Sequence, residues 1–431
     1  WTQVIDIELP PIVRFERQGG GKEAIENAAK LLSKAKFPVI LSGAGVVLGG
    51  AIDECKKLAE KLDAPVCNGY QHNDSFPGSH PLAVGPLGYN GSKAAMELIS
   101  KADVVLALGT RLNPFSTLPG YGIDYWPKKA TIIQVDMNPD RIGLTKKVSV
   151  GICGDAKQVA QQILDKLTSD AGNTGREERK NLIHKTKSAW LQTLSGLDHE
   201  EDDPGTVWNK EARERDKDRM SPRQAWRAIQ DALPQDAIIS SDIGNNCAIG
   251  NAYPTFEKPR KYLAPGLFGP CGYGFPAILG AKIGCPDTPV VGFAGDGAFG
   301  ISMNEMSSCA REEWPAITMV IFRNYQWGAE KRNSILWFDD NFVGTELDPE
   351  LSYAKVANAC GLKGVTCKTM EETTKAIKQS CEDQKKGITT FIEIILNQEL
   401  GEPFRRDAMK KPVKVAGIKK EDMKKQPSLI S

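Results

Sequence analysis

Gly295-Asp296-Gly297 directly follows the apolar run of residues 289–294 (PVVGFA), and Asn324 follows closely on a second apolar run, residues 317–322 (ITMVIF). In a parallel sheet, ligands sit beyond the carboxyl ends of strands, and both residues fall at such ends. Glycine on each side of Asp296 lets backbone approach a phosphate closely, and a following helix offers free N–H groups to an anion. A carboxylate, a side-chain amide, a backbone carbonyl and diphosphate oxygens make a hard, all-oxygen set suited to Mg²⁺. An Asp-Gly pair alone is a common turn. Strand, Gly-Asp-Gly, helix, strand and Asn in this order together point to a magnesium-diphosphate site.

Such a site needs parallel strands to carry it, and the sequence supplies two series of them. Residues 37–42 (FPVILS), 64–67, 102–108, 130–135 and 148–152 read as short buried strands, with helices over 23–34, 51–62, 93–100 and 157–167. A second series begins at Ser221-Pro222, an N-cap followed by proline at the first helical position. Its helices are expected over 223–233, 276–283, 302–312, 353–360 and 371–384, and its strands over 237–240, 290–294, 316–322 and 390–395. The β-α-β rhythm predicts an α/β fold of two doubly wound parallel-sheet domains, residues 18–169 and 220–402. A charged helical linker (170–219) joins them, an extended lead-in (1–17) precedes them and a basic tail (403–431) follows.

Composition narrows the function classes. With 431 residues, 41% hydrophobic and 25% charged, the chain is an ordinary globular protein of roughly two or three domains. Fifty-five Lys+Arg against 54 Asp+Glu leave a net charge of +1, which gives no footprint for nucleic acid or an anionic membrane. No apolar run approaches the roughly 20 residues that cross a bilayer. Ten scattered cysteines without a CxxC read as small hydrophobes in a reducing compartment, so a cytoplasmic protein is expected. Four scattered histidines do not suggest a zinc site.

Residues 295–324, GDGAFGISMNEMSSCAREEWPAITMVIFRN, resemble the thiamine diphosphate motif, which begins with GDG and ends with Asn. Residues 268–284 (FGPCGYGFPAILGAKIG) resemble the glycine-rich segment such enzymes place under the thiazolium. Residues 76–91 (FPGSHPLAVGPLGYNG) and 102–112 (ADVVLALGTRL) are similar to the central domain of the acetolactate synthase and pyruvate oxidase superfamily. The likeness spans residues 21–402. Residues 324–333 (NYQWGAEKRN), 338–348 (FDDNFVGTELD), 1–10 (WTQVIDIELP) and 198–205 (DHEEDDPG) resemble its sulfoacetaldehyde acetyltransferase family.

That resemblance implies thiamine diphosphate and Mg²⁺ as cofactors, and conversion of sulfoacetaldehyde and phosphate into acetyl phosphate and sulfite. Asp296 and Asn324 would hold Mg²⁺ through side chains and Gln326 through its carbonyl. Ile243, Gly244, Asn245 and Asn246 would close over the diphosphate, while Gly269, Cys271 and Gly272 would touch the aminopyrimidine and thiazolium. Gly295, Gly297, Ala298, Trp327, Gly328 and Ala329 complete the expected cofactor set. Relatives often carry a bulkier apolar residue where Cys271 stands, and a reactive thiol is not expected there because the chemistry belongs to the cofactor. The family's amino-terminal domain carries a glutamate that activates the cofactor; the chain begins at Trp1, and none of Glu8, Glu16 or Glu23 has matching surroundings, so a fragment is expected. Relatives build the site between subunits, which implies a homodimer or homotetramer.

Sulfonate and phosphate are both anions, so the site needs positive charge. Residue 328 lies at most roughly 14 Å from Asn324, since each residue spans at most about 3.5 Å, and this makes Lys331 and Arg332 the candidate anion-binding residues. Arg111 is a weaker candidate. Three other readings stand beside this one: another thiamine diphosphate carboligase or decarboxylase of acetolactate synthase type, a nucleotide-binding module and a non-catalytic binding protein. The second rests on Gly43-Ala44-Gly45 after a strand, although the next glycine is Gly49, one position late for G-x-G-x-x-G.

Overall fold

A computed structural model describes residues 16–196, 214–266, 268–337 and 344–399. The expected lead-in over 1–15, the acidic stretch of the linker, Glu8, most of the 338–348 string and the basic tail lie outside these residues.

The first sheet holds β1 (Pro38–Ser42), β2 (Val66–Asn68), β3 (Ala83–Pro86), β4 (Val104–Leu108), β5 (Thr131–Asp136) and β6 (Val150–Cys153). Its order is β3-β2-β1-β4-β5-β6, with every pairing parallel. β1 and β4 are buried along their whole length, which their unbroken apolar sequences require in a sheet covered by helices on both faces. β3 was not legible in the sequence, because Gly85 and Pro86 break its apolar run.

The second sheet holds β7 (Ile238–Ser241), β8 (Tyr262–Leu263), β9 (Val290–Gly295), β10 (Thr318–Arg323), β11 (Lys363–Cys367) and β12 (Thr390–Ile395). Its order is β11-β12-β10-β9-β7-β8, again all parallel. The chain leaves β7 for the edge strand β8 and returns to β9 on the opposite side. The crevice of this sheet therefore opens at β7 and β9, the point where strand order reverses.

The helix expected over 302–312 is corrected. A helix starts at Asp296 and ends at Ser302, followed by a 3-10 turn at Met303–Glu305 and one helical turn at Met306–Cys309. Asp296 favours the early start, since a carboxylate is stabilised at a helix N-terminus. Ser307 then donates to the Asn304 carbonyl and Ser308 to Glu305, side-chain bonds that compete with a continuous helix. The start at Ser221 holds: Ser221 and Gln224 form a reciprocal capping box.

Hydrogen bonds from the loop beyond β2 tie the halves together. Asp74, beyond β2, accepts from the backbone of Lys261 at 3.0 Å and Tyr262 at 3.3 Å, and Asn73 donates to the carbonyls of Asn251 and Pro254. The linker helix Arg176–Gly196 is anchored by Arg179, which is 1% exposed. Its guanidinium donates to five backbone carbonyls, those of Asp63, Lys36, Thr174, Leu62 and Gly172. Arg179→Met leaves these acceptors unsatisfied and is expected to cost about 3 kcal/mol of stability, read by denaturant unfolding, with Arg179→Lys recovering only part of it.

Candidate cofactor site

Three neighbouring strand ends build the site. β7 delivers Asp242 and the loop Ile243–Asn246, β9 delivers Gly295 to Ala298, and β10 delivers Asn324 to Gln326. Asp296, Asn324 and Gln326 are buried at 1%, 1% and 3% exposure. One terminal atom of the Asn324 amide lies 3.2 Å from Asp296 Oδ1 and 3.3 Å from the Gln326 carbonyl oxygen; the other lies 3.3 Å from Asn246 Nδ2. Without a cation, the amide nitrogen facing both acceptors satisfies them. With a cation bound, the amide oxygen would face them instead, and the Asp296 carboxylate, the Asn324 amide and the Gln326 carbonyl would offer it three hard oxygen donors, the kind of set Mg²⁺ takes. Asn246 Oδ1 and Gln326 Oε1 are also buried without a hydrogen-bond partner in the structure. The donor set fits a magnesium ion.

Asp296 is poised for this. Burial pushes its carboxyl up to about 6, against the opposing pull of Arg323 and the backbone N–H groups of Tyr325 and Gly297. Oδ2 takes Arg323 at 3.0 Å and Tyr325 N–H at 2.7 Å, while Oδ1 takes the Gly297 N–H at 3.0 Å and faces the Asn324 amide.

The two glycines around Asp296 differ. A side chain on Gly295 would meet nothing within 4 Å, so this position leaves backbone open to a ligand. A Cβ on Gly297 would lie 2.7 Å from the Trp327 indole, so this glycine makes room for Trp327. Trp327 precedes helix Gly328–Trp337, whose first turn carries Ala329, and its carbonyl accepts from Lys331 N–H at 2.9 Å.

Asp242, which the sequence reading did not single out, joins the other two segments. It accepts from the N–H groups of Ile243 at 2.7 Å, Gly272 at 3.1 Å and Gly274 at 2.7 Å. Gly244, Gly269 and Gly272 all have positive φ, which only glycine adopts readily. Gly269 lies against Ile243, and Gly272 against Ile301 and the Ala298 carbonyl. Cys271 is half-buried with its thiol pushed up to about 11, first by burial and then by Asp242 and Glu330, which keeps it protonated near neutral pH.

Arg332 is 2% exposed; it donates to Asn245 Oδ1 at 2.6 Å and to the Tyr89 hydroxyl across from the first domain. Asn245 also donates to the Glu399 carbonyl. Lys331 pairs with Glu346 and lies 3.4 Å from Gln398 Oε1. Arg111 instead lines a cavity of about 560 Å³ at the carboxyl ends of the first sheet, with Gly45, Asp136 and Arg141. There a Cβ on Gly45 would sit 2.6 Å from Gly109 Cα, and Gly45 N–H donates to Gly109 O at 2.8 Å. The glycines of the Gly-Ala-Gly turn thus serve loop-to-loop packing.

Two crevices at two switch points, one lined by hard oxygen donors, define a thiamine diphosphate enzyme. Residues 25–163 match the thiamine pyrophosphate enzyme central domain, and residues 242–394 match the C-terminal TPP binding domain of the same enzymes. Among curated relatives, the probable sulfoacetaldehyde acetyltransferase of Rhizobium meliloti is 78% identical, over 99% of this chain and 72% of its own length. The sulfoacetaldehyde acetyltransferase of Roseovarius nubinhibens is 74% identical (99% and 71%), and that of Castellaniella defragrans 49% (95% and 69%). The chain belongs to the sulfoacetaldehyde acetyltransferase family of thiamine diphosphate enzymes.

Gly297→Ala overpacks against Trp327 and is expected to cost about 1–3 kcal/mol. Unfolding of this variant, of Trp327→Ala and of Gly297→Ala/Trp327→Ala checks the cause, since the glycine substitution should cost little once the indole is gone.

Proposed function

We infer that the chain works as a sulfoacetaldehyde acetyltransferase, with sulfoacetaldehyde and phosphate as substrates and acetyl phosphate and sulfite as products. Its cofactors are thiamine diphosphate and Mg²⁺. The observation that carries this reading is the convergence of Asp296, Asn324 and the Gln326 carbonyl at adjacent strand ends, in a chain so similar to the named relatives. Thiamine diphosphate, when bound, supplies the carbon nucleophile and electron sink that aldehyde-to-acyl chemistry requires.

The chain's own residues bind and orient. Asp296, Asn324 and Gln326 would hold the metal on the diphosphate. Ile243 to Asn246, Gly295 to Ala298 and Trp327 to Ala329 would enclose the diphosphate, and Gly269, Cys271 and Gly272 the rings. Arg332 is proposed to supply the buried positive charge that draws the sulfonate and phosphate, supported by its contact with Asn245 in the diphosphate loop. Lys331, paired with Glu346, is proposed as the outer part of the same anion path. No helix among the described residues is long and apolar enough to cross a membrane. A cytoplasmic setting is proposed on the strength of ten free cysteines. A homodimer or homotetramer is proposed, because the resemblance implies a site built between subunits.

Asp296→Asn, which leaves Arg323 an acceptor, and Asn324→Ala are expected to weaken Mg²⁺-dependent thiamine diphosphate binding by roughly 100-fold or more, with circular dichroism unchanged. Calorimetric titration checks this, and unchanged affinity in both would discard the site. Arg332→Ala is expected to raise the Michaelis constant of phosphate or sulfoacetaldehyde at least tenfold, about 1.4 kcal/mol, and Lys331→Ala by less. Steady-state assays of sulfite release decide it.

A further inference from the structure

Arg323 ends β10 one residue before Asn324, at a site buried on every side. Its guanidinium is 1% exposed and lies between two carboxylates: Nη1 donates to Asp296 Oδ2 at 3.0 Å, and Nε is 3.8 Å from Glu393 Oε1. Nη2 donates to the carbonyls of Asp348 and Leu351. The group also lies 4.2 Å from the centre of the Tyr325 ring. Tyr325 has φ of +63°, a conformation a bulky residue holds only with outside support.

We propose that Arg323 is a positioning residue that sets the geometry of the divalent-cation site, a role that rests on the metal-site reading above. Arg323 and the Tyr325 N–H together occupy Oδ2 of Asp296, which leaves Oδ1 as the oxygen beside Asn324 and the Gln326 carbonyl. Stacking on Tyr325 supports the left-handed turn that aims the Gln326 carbonyl. The Asp348 and Leu351 carbonyls anchor the segment that pairs with the ligand loop, through Trp327 N–H to Thr345 O at 2.7 Å and Leu347 N–H to Tyr325 O at 2.9 Å. One planar fork therefore ties the first and third ligands to a single spacing. A lysine lacks the fixed plane of donors this needs. Glu393, held by Ser352 Oγ at 2.7 Å and Tyr353 N–H at 3.1 Å, places a second carboxylate beside the guanidinium. Stability alone does not require the arrangement, because buried ion pairs are often replaceable by apolar residues.

Mg²⁺ demands a near-ideal octahedron, whereas Ca²⁺ accepts flexible oxygen arrangements at longer distances. A residue that sets spacing therefore affects the two metals unequally, and a residue that only stabilises the fold affects them alike. The test compares Arg323→Met/Glu393→Gln with Glu393→Gln, so that Glu393 is not left as an uncompensated charge, while Asp296 keeps the N–H groups of Tyr325 and Gly297. Calorimetry at saturating thiamine diphosphate measures Mg²⁺ and Ca²⁺ affinity, with thermal unfolding alongside. The expected result is a loss of tenfold or more for Mg²⁺ and less than threefold for Ca²⁺. Equal losses for both metals, or unchanged Mg²⁺ affinity, overturn the proposal. Arg323→Lys keeps the charge without the fork and is expected to show the same unequal loss; full recovery of Mg²⁺ affinity in it would reduce Arg323 to a counter-charge and also overturn the proposal. Absence of Mg²⁺-dependent thiamine diphosphate binding in the unsubstituted chain would instead remove the metal site itself, and the proposal with it.

Discussion

A carboxylate buried to 1% exposure is costly to keep charged, and the second domain of this chain is arranged around that cost at Asp296. Water cannot solvate the group, so the protein surrounds one of its oxygens with a guanidinium and a backbone N–H and leaves the other turned toward further oxygens. Everything that supplies those partners is constrained in turn. β10 must run beside β9 in parallel register, Phe322 opposite Gly295, for Arg323 to reach across. The loop after β10 must turn through a left-handed residue to bring the Tyr325 N–H back.

Asp242 repeats the same physics at the end of β7 with different partners. Burial raises its carboxyl, and three backbone N–H groups pull it down again. Those N–H groups belong to Ile243, Gly272 and Gly274, so one side chain joins the loop after β7 to the glycine-rich segment. A Cβ on Gly274 would lie 2.9 Å from the Phe293 carbonyl, which is why the segment can press so closely on the strand ends.

The first domain reaches this site through Tyr89, whose hydroxyl receives Arg332, while Asn251 donates to the Tyr89 carbonyl. The buried arginines 179, 323 and 332 share one pattern: each spends its donors on acceptors from segments far apart in the chain. Arginine suits this because its donors are planar and its charge persists on burial.

Much of this was legible before any coordinates. Unbroken apolar runs specify β1, β4, β9 and β10, because only a strand covered on both faces can bury every side chain. The placement of Asp296 and Asn324 at the ends of two such strands follows from those runs alone, as does the hard-oxygen chemistry they offer. Short or mixed segments such as β3, β8 and β11 were not readable, since too few residues carry a pattern. The helix at Asp296 began earlier than its apolar content indicated, because a side-chain charge at its N-terminus outweighed the periodicity. Tertiary structure alone decided that Arg323, which reads as a charge closing a strand, lies buried between Asp296 and Glu393. It alone decided that Gly297 accommodates an indole, and that Arg332 meets a tyrosine 243 positions away. Local sequence encodes which backbone conformations are cheap. Which charges end up facing each other depends on strand order, and that is set by the packing of the whole sheet.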